Sequence, residues 1–109
     1  MEVREYLTAQ GRSPFARWFQ KLDARTAVKV TVSLNRMEQG NLSNTRSLGG
    51  IFEYKLDYGP GYRIYFGREG DVLILLLGGG TKQTQSEDIL SANRRWADYK
   101  QRKKAERKA

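Results

Sequence analysis

The feature that most constrains the fold is a run of six consecutive apolar residues at positions 72–77 (VLILLL), which three glycines follow. A run of this length fits one strand and is too short to cross a membrane. Because it has no polar face, it predicts a central strand that is covered on both sides. The chain has 109 residues, enough for one domain, so its other elements must surround this strand.

Two segments before this run alternate between apolar and polar residues, at positions 51–58 and 62–67. The connections at 59–61 and 68–71 are short and rich in Gly, Pro and Asp. Connections of this kind join antiparallel strands, so the three segments are predicted to form a meander. Residues 2–7 can add a short strand beside the apolar one, whereas residues 41–50 are polar and predicted to be irregular.

Two helices are predicted before the meander. Each begins at a capping residue, Ser13 (followed by Pro14) and Asp23, and Gly40 follows the second one. Their apolar positions recur at helical spacing: Phe15, Trp18, Phe19, Leu22, Ala27, Val30, Leu34 and Met37. The valines at 28, 30 and 32 favour a strand instead, but the spacing and the two caps outweigh them.

A last helix is predicted after a glycine-rich exit loop at 78–82. Thr84 and Glu87 match a capping box, and Ile89, Ala92, Trp96 and Tyr99 form the apolar stripe. The predicted fold class is therefore α+β, in the order β-α-α-β-β-β-α. A mainly antiparallel sheet carries a helical hairpin on one face and packs near the C-terminal helix. Residues 1–100 are assigned to the domain and residues 101–109 to a basic tail.

Charge and composition narrow the classes of function. The net charge is +8, and six of the last ten residues are Lys or Arg, which predicts a polyanionic partner or simply a solvated tail. The chain has no Cys and no His, so no disulfide, thiolate metal site or histidine-based catalysis is expected. No metal and no cofactor are predicted. The absence of a secretory signal and of a membrane span predicts a cytoplasmic protein that does not act at a membrane.

The predicted hairpin around Gly59-Pro60-Gly61 sorts its side chains onto two faces. With these three residues as the loop, Asp57 lies opposite Arg63 and Lys55 lies opposite Tyr65. The core face holds Phe52, Tyr54, Leu56, Tyr58, Tyr62, Ile64 and Phe66. The other face holds Glu53, Lys55, Asp57, Arg63 and Tyr65, which could bind a phosphate and stack on a base, or could be an ordinary solvated face with an Asp57–Arg63 pair.

The glycine-rich segment at 78–82 is a second candidate for anion binding. Its backbone N–H groups, the start of the last helix and the charge of Lys82 could together hold a phosphate. The pattern differs from a nucleotide-binding Walker motif. The alternative is a flexible turn.

Several segments resemble the phage-derived, HigB-type branch of the RelE/ParE toxins, often called addiction-module killer proteins. They are REYL at 4–7, GRSPF at 11–15, EYKLDYGPGYRIYF at 53–66 and GGGTKQTQ at 78–85, and the likeness extends to about Lys100. The resemblance implies a toxin of a type II toxin–antitoxin system that inhibits translation by ribosome-dependent mRNA cleavage. It also implies a cognate antitoxin, often a helix-turn-helix protein encoded beside the toxin.

In RelE-like toxins, basic residues of the hairpin and of the loop after the last strand form the cleavage site. By this resemblance Arg63, Lys55 and Lys82 match basic positions of the cleavage site. Arg63 is then expected to stabilise the phosphorane, and Lys55 and Lys82 to bind phosphate. The residues themselves suggest that Tyr65 stacks on a base or positions the backbone, and that Asp57 accepts a proton or orients Arg63. Arg63→Ala is then expected to abolish toxicity and leave the fold largely intact. A second lysine, a tyrosine and the histidines used by some relatives are missing, which keeps two alternatives open: a non-catalytic DNA gyrase poison of ParE type, and an inactive homologue acting only with its antitoxin.

Overall fold

The computed structural model describes residues 1–108 as a mixed sheet with helices on both faces. In chain order the elements are β1 (Glu2–Glu5), α1 (Pro14–Phe19), α2 (Ala24–Glu38), β2 (Thr45–Ser47), β3 (Phe52–Lys55), β4 (Arg63–Glu69), β5 (Leu73–Gly80), a 3₁₀ turn (Lys82–Thr84) and α3 (Gln85–Lys108). Within these residues the sheet has five strands in the order β1-β5-β4-β3-β2. The prediction of an α+β domain is confirmed.

The predicted helix starts are present because local side chains cap them. Ser13 accepts a hydrogen bond from the Ala16 N–H at 3.0 Å, and Pro14 occupies the first turn, where a missing N–H costs nothing. Asp23 caps α2 by accepting from the Thr26 N–H at 2.9 Å. The valines of α2 therefore lie in a helix, as the spacing predicted.

Two cores lie on opposite faces of the sheet, and β5 contributes to both. Ile74 and Leu76 pack under α1 and α2, while Leu75 and Leu77 pack under α3. β1 pairs with β5 in parallel and β4 pairs with it antiparallel, so β5 is an interior strand. The two cores cover both of its faces, as predicted. Ala92 and Trp96 of the predicted apolar stripe bury α3 against the sheet.

The loop of the β3–β4 hairpin is longer than predicted. Lys55 pairs with Arg63 rather than with Tyr65, so the register differs by two residues. Gly59 and Gly61 both have positive φ, which lets the loop fold into successive tight turns. A shift of two residues leaves every side chain on its predicted face, because strand side chains alternate with a period of two.

Three other segments differ from the predictions. The short edge strand β2 lies within the segment predicted to be irregular. Gly78–Gly80 continue β5 instead of forming a loop. α3 continues without a break to Lys108, through most of the predicted tail, while Ala109 lies outside the described residues. None of the helices within residues 1–108 is long and apolar enough to span a membrane.

Candidate functional site

Two adjoining clefts open where the β3–β4 hairpin approaches the 3₁₀ turn after β5. The first, of about 560 Å³, is lined by the hairpin loop and by Lys55, Asp57, Arg63 and Lys82. The second, of about 460 Å³, is lined by residues 43–46 and by Glu53, Lys55, Asp57, Arg63 and Gln85. Because Lys55, Asp57 and Arg63 border both clefts, they form one continuous surface, called the hairpin site below.

The sheet brings four of the five predicted site residues together. Lys55 ends β3 and Arg63 begins β4, directly opposite each other in the register. Lys82 reaches the same place from the 3₁₀ turn: a Cβ atom built on Gly61 of the hairpin loop would lie 3.6 Å from its Cβ atom. Asp57 lies on the hairpin loop. The hairpin site therefore collects residues that are far apart in the sequence.

Arg63 lies at the floor of the hairpin site, with only 8% of its side chain exposed. Its Nε atom is 2.9 Å from Glu53 Oε1, although the Nε–H makes no well-aligned hydrogen bond, so the contact is an ion pair. Nη1 donates to the Gly61 carbonyl oxygen at 2.6 Å. Nη2 makes no hydrogen bond to residues 1–108, so it is the guanidinium nitrogen left for a ligand.

Glu53 is the centre of a polar cluster that the sequence analysis did not foresee. Its side chain is 4% exposed and accepts hydrogen bonds from Arg46 Nε at 3.1 Å and from Gln85 Nε2 at 2.6 Å, and Arg46 Nη2 lies in ion-pair contact at 2.8 Å. With Arg63, these contacts join β2, β4 and α3 to one carboxylate on β3. The signal that could have revealed the cluster is the position of Glu53 on the same face as Lys55 and Arg63.

The arrangement can bind an anion. Four cations, Arg46, Lys55, Arg63 and Lys82, line the clefts against two carboxylates, Glu53 and Asp57. Glu53 is occupied by its partners, and Lys55 and Lys82 are both exposed. Phosphate oxygens suit this combination of a fixed guanidinium and mobile ammonium groups.

Tyr65 does not belong to the accessible site, which corrects the prediction that it stacks on a base. It is fully buried beneath α3, because the outer face of β4 is covered by that helix rather than by solvent. Burial, with smaller contributions from Glu53 and Asp88, raises the pKa of its phenol far above the ordinary value. Among residues 1–108 its hydroxyl has no hydrogen-bond partner.

Asp57 also differs from its expected place. Its side chain is 97% exposed and lies 3.9 Å from Lys55 Nζ. The cross-strand Asp57–Arg63 pair is not formed, because the register shift places Lys55 opposite Arg63 and Glu53 supplies the counter-charge. Asp57 therefore does not orient Arg63; it is a solvent-exposed carboxylate at the rim of the first cleft, with Lys55 as its ion-pair partner.

The glycines at 78–80 serve packing rather than the predicted anion loop. All three pair with β4, so their backbone belongs to the sheet. A Cβ atom on Gly79 would lie 2.4 Å from the Trp18 ring, and one on Gly80 would lie 1.9 Å from Asp88 Oδ2. The absence of side chains lets α1 and α3 approach β5 closely, and only Lys82 of the predicted loop reaches the hairpin site.

Comparison with known proteins gives a relative but no activity. No protein-family model matches the chain. An uncharacterized protein of Haemophilus influenzae (strain ATCC 51907 / DSM 11121 / KW20 / Rd) is 40% identical over 80 residues, which cover 72% of this chain and 81% of the relative. At this identity and coverage, the chain belongs to the same family as that Haemophilus influenzae protein.

Proposed function

We propose that the protein is the toxin of a type II toxin–antitoxin pair and cleaves mRNA on the ribosome, in the cytoplasm. The observation that carries the proposal is the hairpin site, where Lys55, Arg63 and Lys82 converge from three segments with Arg46 beside them. Convergence of cations around a fixed guanidinium supports binding of an RNA phosphate. The resemblance of the hairpin and of the 78–85 segment to RelE-like toxins supports the same substrate.

The chemistry proposed for the site is attack of a ribose 2′-hydroxyl on the adjacent phosphate. The new bond joins the 2′-oxygen to phosphorus, the bond to the 5′-oxygen breaks, and the products are a cyclic phosphate and a 5′-hydroxyl. Arg63 Nη2 would stabilise the charge that develops on the phosphorane oxygens. Lys55 and Lys82 would hold the phosphate, and either could give a proton to the leaving oxygen.

Few side chains of the hairpin site could accept the proton of the 2′-hydroxyl. The chain has no histidine, and the oxygens of Glu53 are engaged by Arg46, Gln85 and Arg63. Asp57 is the carboxylate that remains open on the first cleft. We assign it the proton from the 2′-hydroxyl, with the ribosome holding the message in line for attack.

The proposed partner is an antitoxin that covers the hairpin site. A protein segment with carboxylates would neutralise the exposed Lys55 and Lys82 and block access to Arg63. We expect this antitoxin to be of helix-turn-helix type and to be encoded in the neighbouring open reading frame. Co-expression of that frame should restore growth, and failure of both adjacent frames to do so would contradict the pairing.

The deciding experiment is induction of the protein in growing cells with labelled methionine and labelled thymidine supplied in parallel. The proposal expects methionine incorporation to stop first while DNA synthesis continues. DNA damage with intact translation would overturn it and support a gyrase poison of ParE type. Two observations favour this second candidate. Tyr65 is buried and Arg63 is neutralised by Glu53, so fewer side chains are available for catalysis.

A further inference from the structure

The C-terminal half of α3 carries its charges on separate flanks. Lys100, Lys104 and Arg107 are all exposed and are spaced i, i+4, i+7, which places them within a sector of about 60°. Asp98 and Glu106, the carboxylates of the same stretch, lie on the other side of the helix, at least about 100° away. Lys100, Lys104 and Arg107 are called the basic flank below.

Two other cations of this stretch, Arg102 and Lys103, have partners, and their contacts with Leu7 and Glu69 hold α3 to the rest of the domain. Arg102 pairs with Asp98 at 2.7 Å and donates to the Leu7 carbonyl, and Lys103 pairs with Glu69. Within the part of the chain that the structure describes, no carboxylate lies in ion-pair contact with the basic flank. Arg107 is close enough to Glu69 to help lower its pKa, but Lys103 and Tyr99 make the direct contacts.

Repulsion within the basic flank opposes helix formation in water, although cations in the last turn of a helix also gain from the helix dipole. Like charges four residues apart repel each other and reduce helix stability. Lys100 Nζ lies 5.7 Å from the centre of the Trp96 ring, which positions its charge on the flank without neutralising it. A polyanion along the flank would relieve the repulsion.

The basic flank adjoins the sheet-facing side of α3, which is the side that meets the hairpin site. Gln85, the first residue of α3, hydrogen-bonds Glu53 in that site. On the helix, Gln85 and the basic flank fall within one sector of about 100°, and Lys100 and Arg107 lie about 22 Å and 33 Å farther along the axis. RNA held at the hairpin site could therefore continue along this side of α3.

We propose that the basic flank is a second RNA contact, which binds the sugar-phosphate backbone of structured RNA. The assignment to RNA rests on the proposed function of the hairpin site, whereas the charge arrangement stands without it. The apolar stripe of α3, including Ala92 and Trp96, is packed against the sheet. Among the described residues of α3, Leu90 is the large apolar side chain left exposed, and a single leucine is too little for binding a lipid surface. Lysine is depleted at protein–protein interfaces, while protein–nucleic acid interfaces are strongly positive.

The test compares the parent with a triple variant, Lys100→Gln, Lys104→Gln, Arg107→Gln. Glutamine keeps helix propensity while removing charge. The matched control, Lys21→Gln, Arg25→Gln, Arg36→Gln, removes three exposed cations from the α1–α2 side of the molecule. Circular dichroism first establishes that both variants are folded. Binding of a labelled RNA hairpin is then measured by fluorescence anisotropy at several salt concentrations between about 50 and 200 mM.

Each lost phosphate contact should reduce the magnitude of the slope of log affinity against log salt by about one. For the basic-flank variant, this magnitude should therefore be smaller than that of the parent by about two to three. The control variant should keep the parental slope. Equal slopes for the two variants would overturn the proposal, and tighter parental binding to a DNA duplex of the same sequence would overturn the assignment to RNA. A reconstituted translation assay separates the two proposals: a parent that binds RNA through the flank but leaves translation intact refutes only the proposed function.

Discussion

A charged guanidinium lies inside the protein at Arg63, with Glu53 as its counter-charge. Removing one partner of a buried ion pair costs about 3–5 kcal/mol. Because Arg46 still neutralises Glu53, we expect Arg63→Ala to lower the free energy of unfolding by about 3 kcal/mol, measured by urea denaturation. The sequence predicted little effect of this substitution on the fold, and the burial of the side chain leads to the opposite expectation.

Arg46→Ala is the matched control for this prediction. Arg46 binds the same carboxylate, but its side chain is 62% exposed, and solvent-exposed ion pairs contribute about 0–1 kcal/mol. The control should therefore lose about 1 kcal/mol or less. Equal losses in the two variants would show that burial does not govern the strength of these contacts.

Lys82 offers a cleaner test of activity than Arg63, because it is exposed and lies outside the buried cluster. Loss of a positioned charge that stabilises a transition state costs about 10²–10³ in rate. We expect Lys82→Ala to reduce mRNA cleavage in a reconstituted translation reaction by about this factor, with unchanged urea denaturation. Lys21→Ala, which removes an exposed lysine near α1, should retain parental activity; a Lys82→Ala protein of parental activity would remove Lys82 from the site.

β5 is the element whose sequence is most tightly fixed by its neighbours. A methyl group at Gly79 would lie 2.4 Å from the Trp18 ring, so α1 or the strand must move to accept it. Overpacking of this kind costs about 1–3 kcal/mol. We expect Gly79→Ala to lose stability within this range, measured by thermal unfolding followed by circular dichroism.

Gly50→Ala is the control for β5, since its φ is ordinary and nothing lies within 4 Å of a Cβ atom there. An Ala at such a position restricts the unfolded chain and stabilises by about 0.4–1 kcal/mol. The two substitutions should therefore shift the melting temperature in opposite directions. A Gly79→Ala protein as stable as the Gly50→Ala protein would mean that α1 packs more loosely than the structure shows.

The elements that sequence could predict are those specified by nearby residues. The caps at Ser13 and Asp23 start α1 and α2, and the apolar run at 72–77 gives the buried strand. β2 has three residues, Thr45–Ser47, and is held by pairing with β3, so it has no local signal. The glycines of β5 indicate a loop by composition, and only their contacts with Trp18 and Asp88 explain them as strand residues.

The candidate site was predictable to the extent that strand alternation fixes faces. Alternation placed Lys55 and Arg63 on one face. The glycine-rich segment indicated Lys82 as an anion ligand, and the resemblance joined it to the hairpin residues in one site. The role of Glu53 depends on Arg46 from the unforeseen β2 and on Gln85 from α3, so neighbouring residues could not indicate it. Tyr65 was assigned to solvent because the sequence did not show that α3 covers this face of the sheet.

Across the whole molecule, the C-terminal half of α3 is tied to the sheet by two polar clusters. The Tyr6 hydroxyl donates to Asp98 at 2.6 Å, and the Tyr99 hydroxyl donates to Glu69 at 2.5 Å, which also binds Lys103. The hydrogen bond from Tyr6 holds the pKa of Asp98 below its ordinary value of 3.8. The hydrogen bonds from Lys103 and then Tyr99 hold the pKa of Glu69 below its ordinary value of 4.5.

These pKa shifts predict that acid loosens the attachment of α3. A carboxyl pKa that is lower in the folded protein stabilises the fold above its unfolded value, and this contribution is lost as pH falls through the folded value. We therefore expect the free energy of unfolding to decrease as pH falls below about 4.5, the ordinary value for Glu69. Urea denaturation between about pH 7 and pH 3, followed by fluorescence of Trp96 and Trp18, measures the decrease. The Glu69→Gln variant has no carboxyl group to protonate at this position, so its stability should depend less on pH. The control Glu106→Gln changes an exposed carboxylate on α3, and its stability should follow that of the parent. If both variants follow the parent, the Glu69 cluster does not link protonation to the attachment of α3.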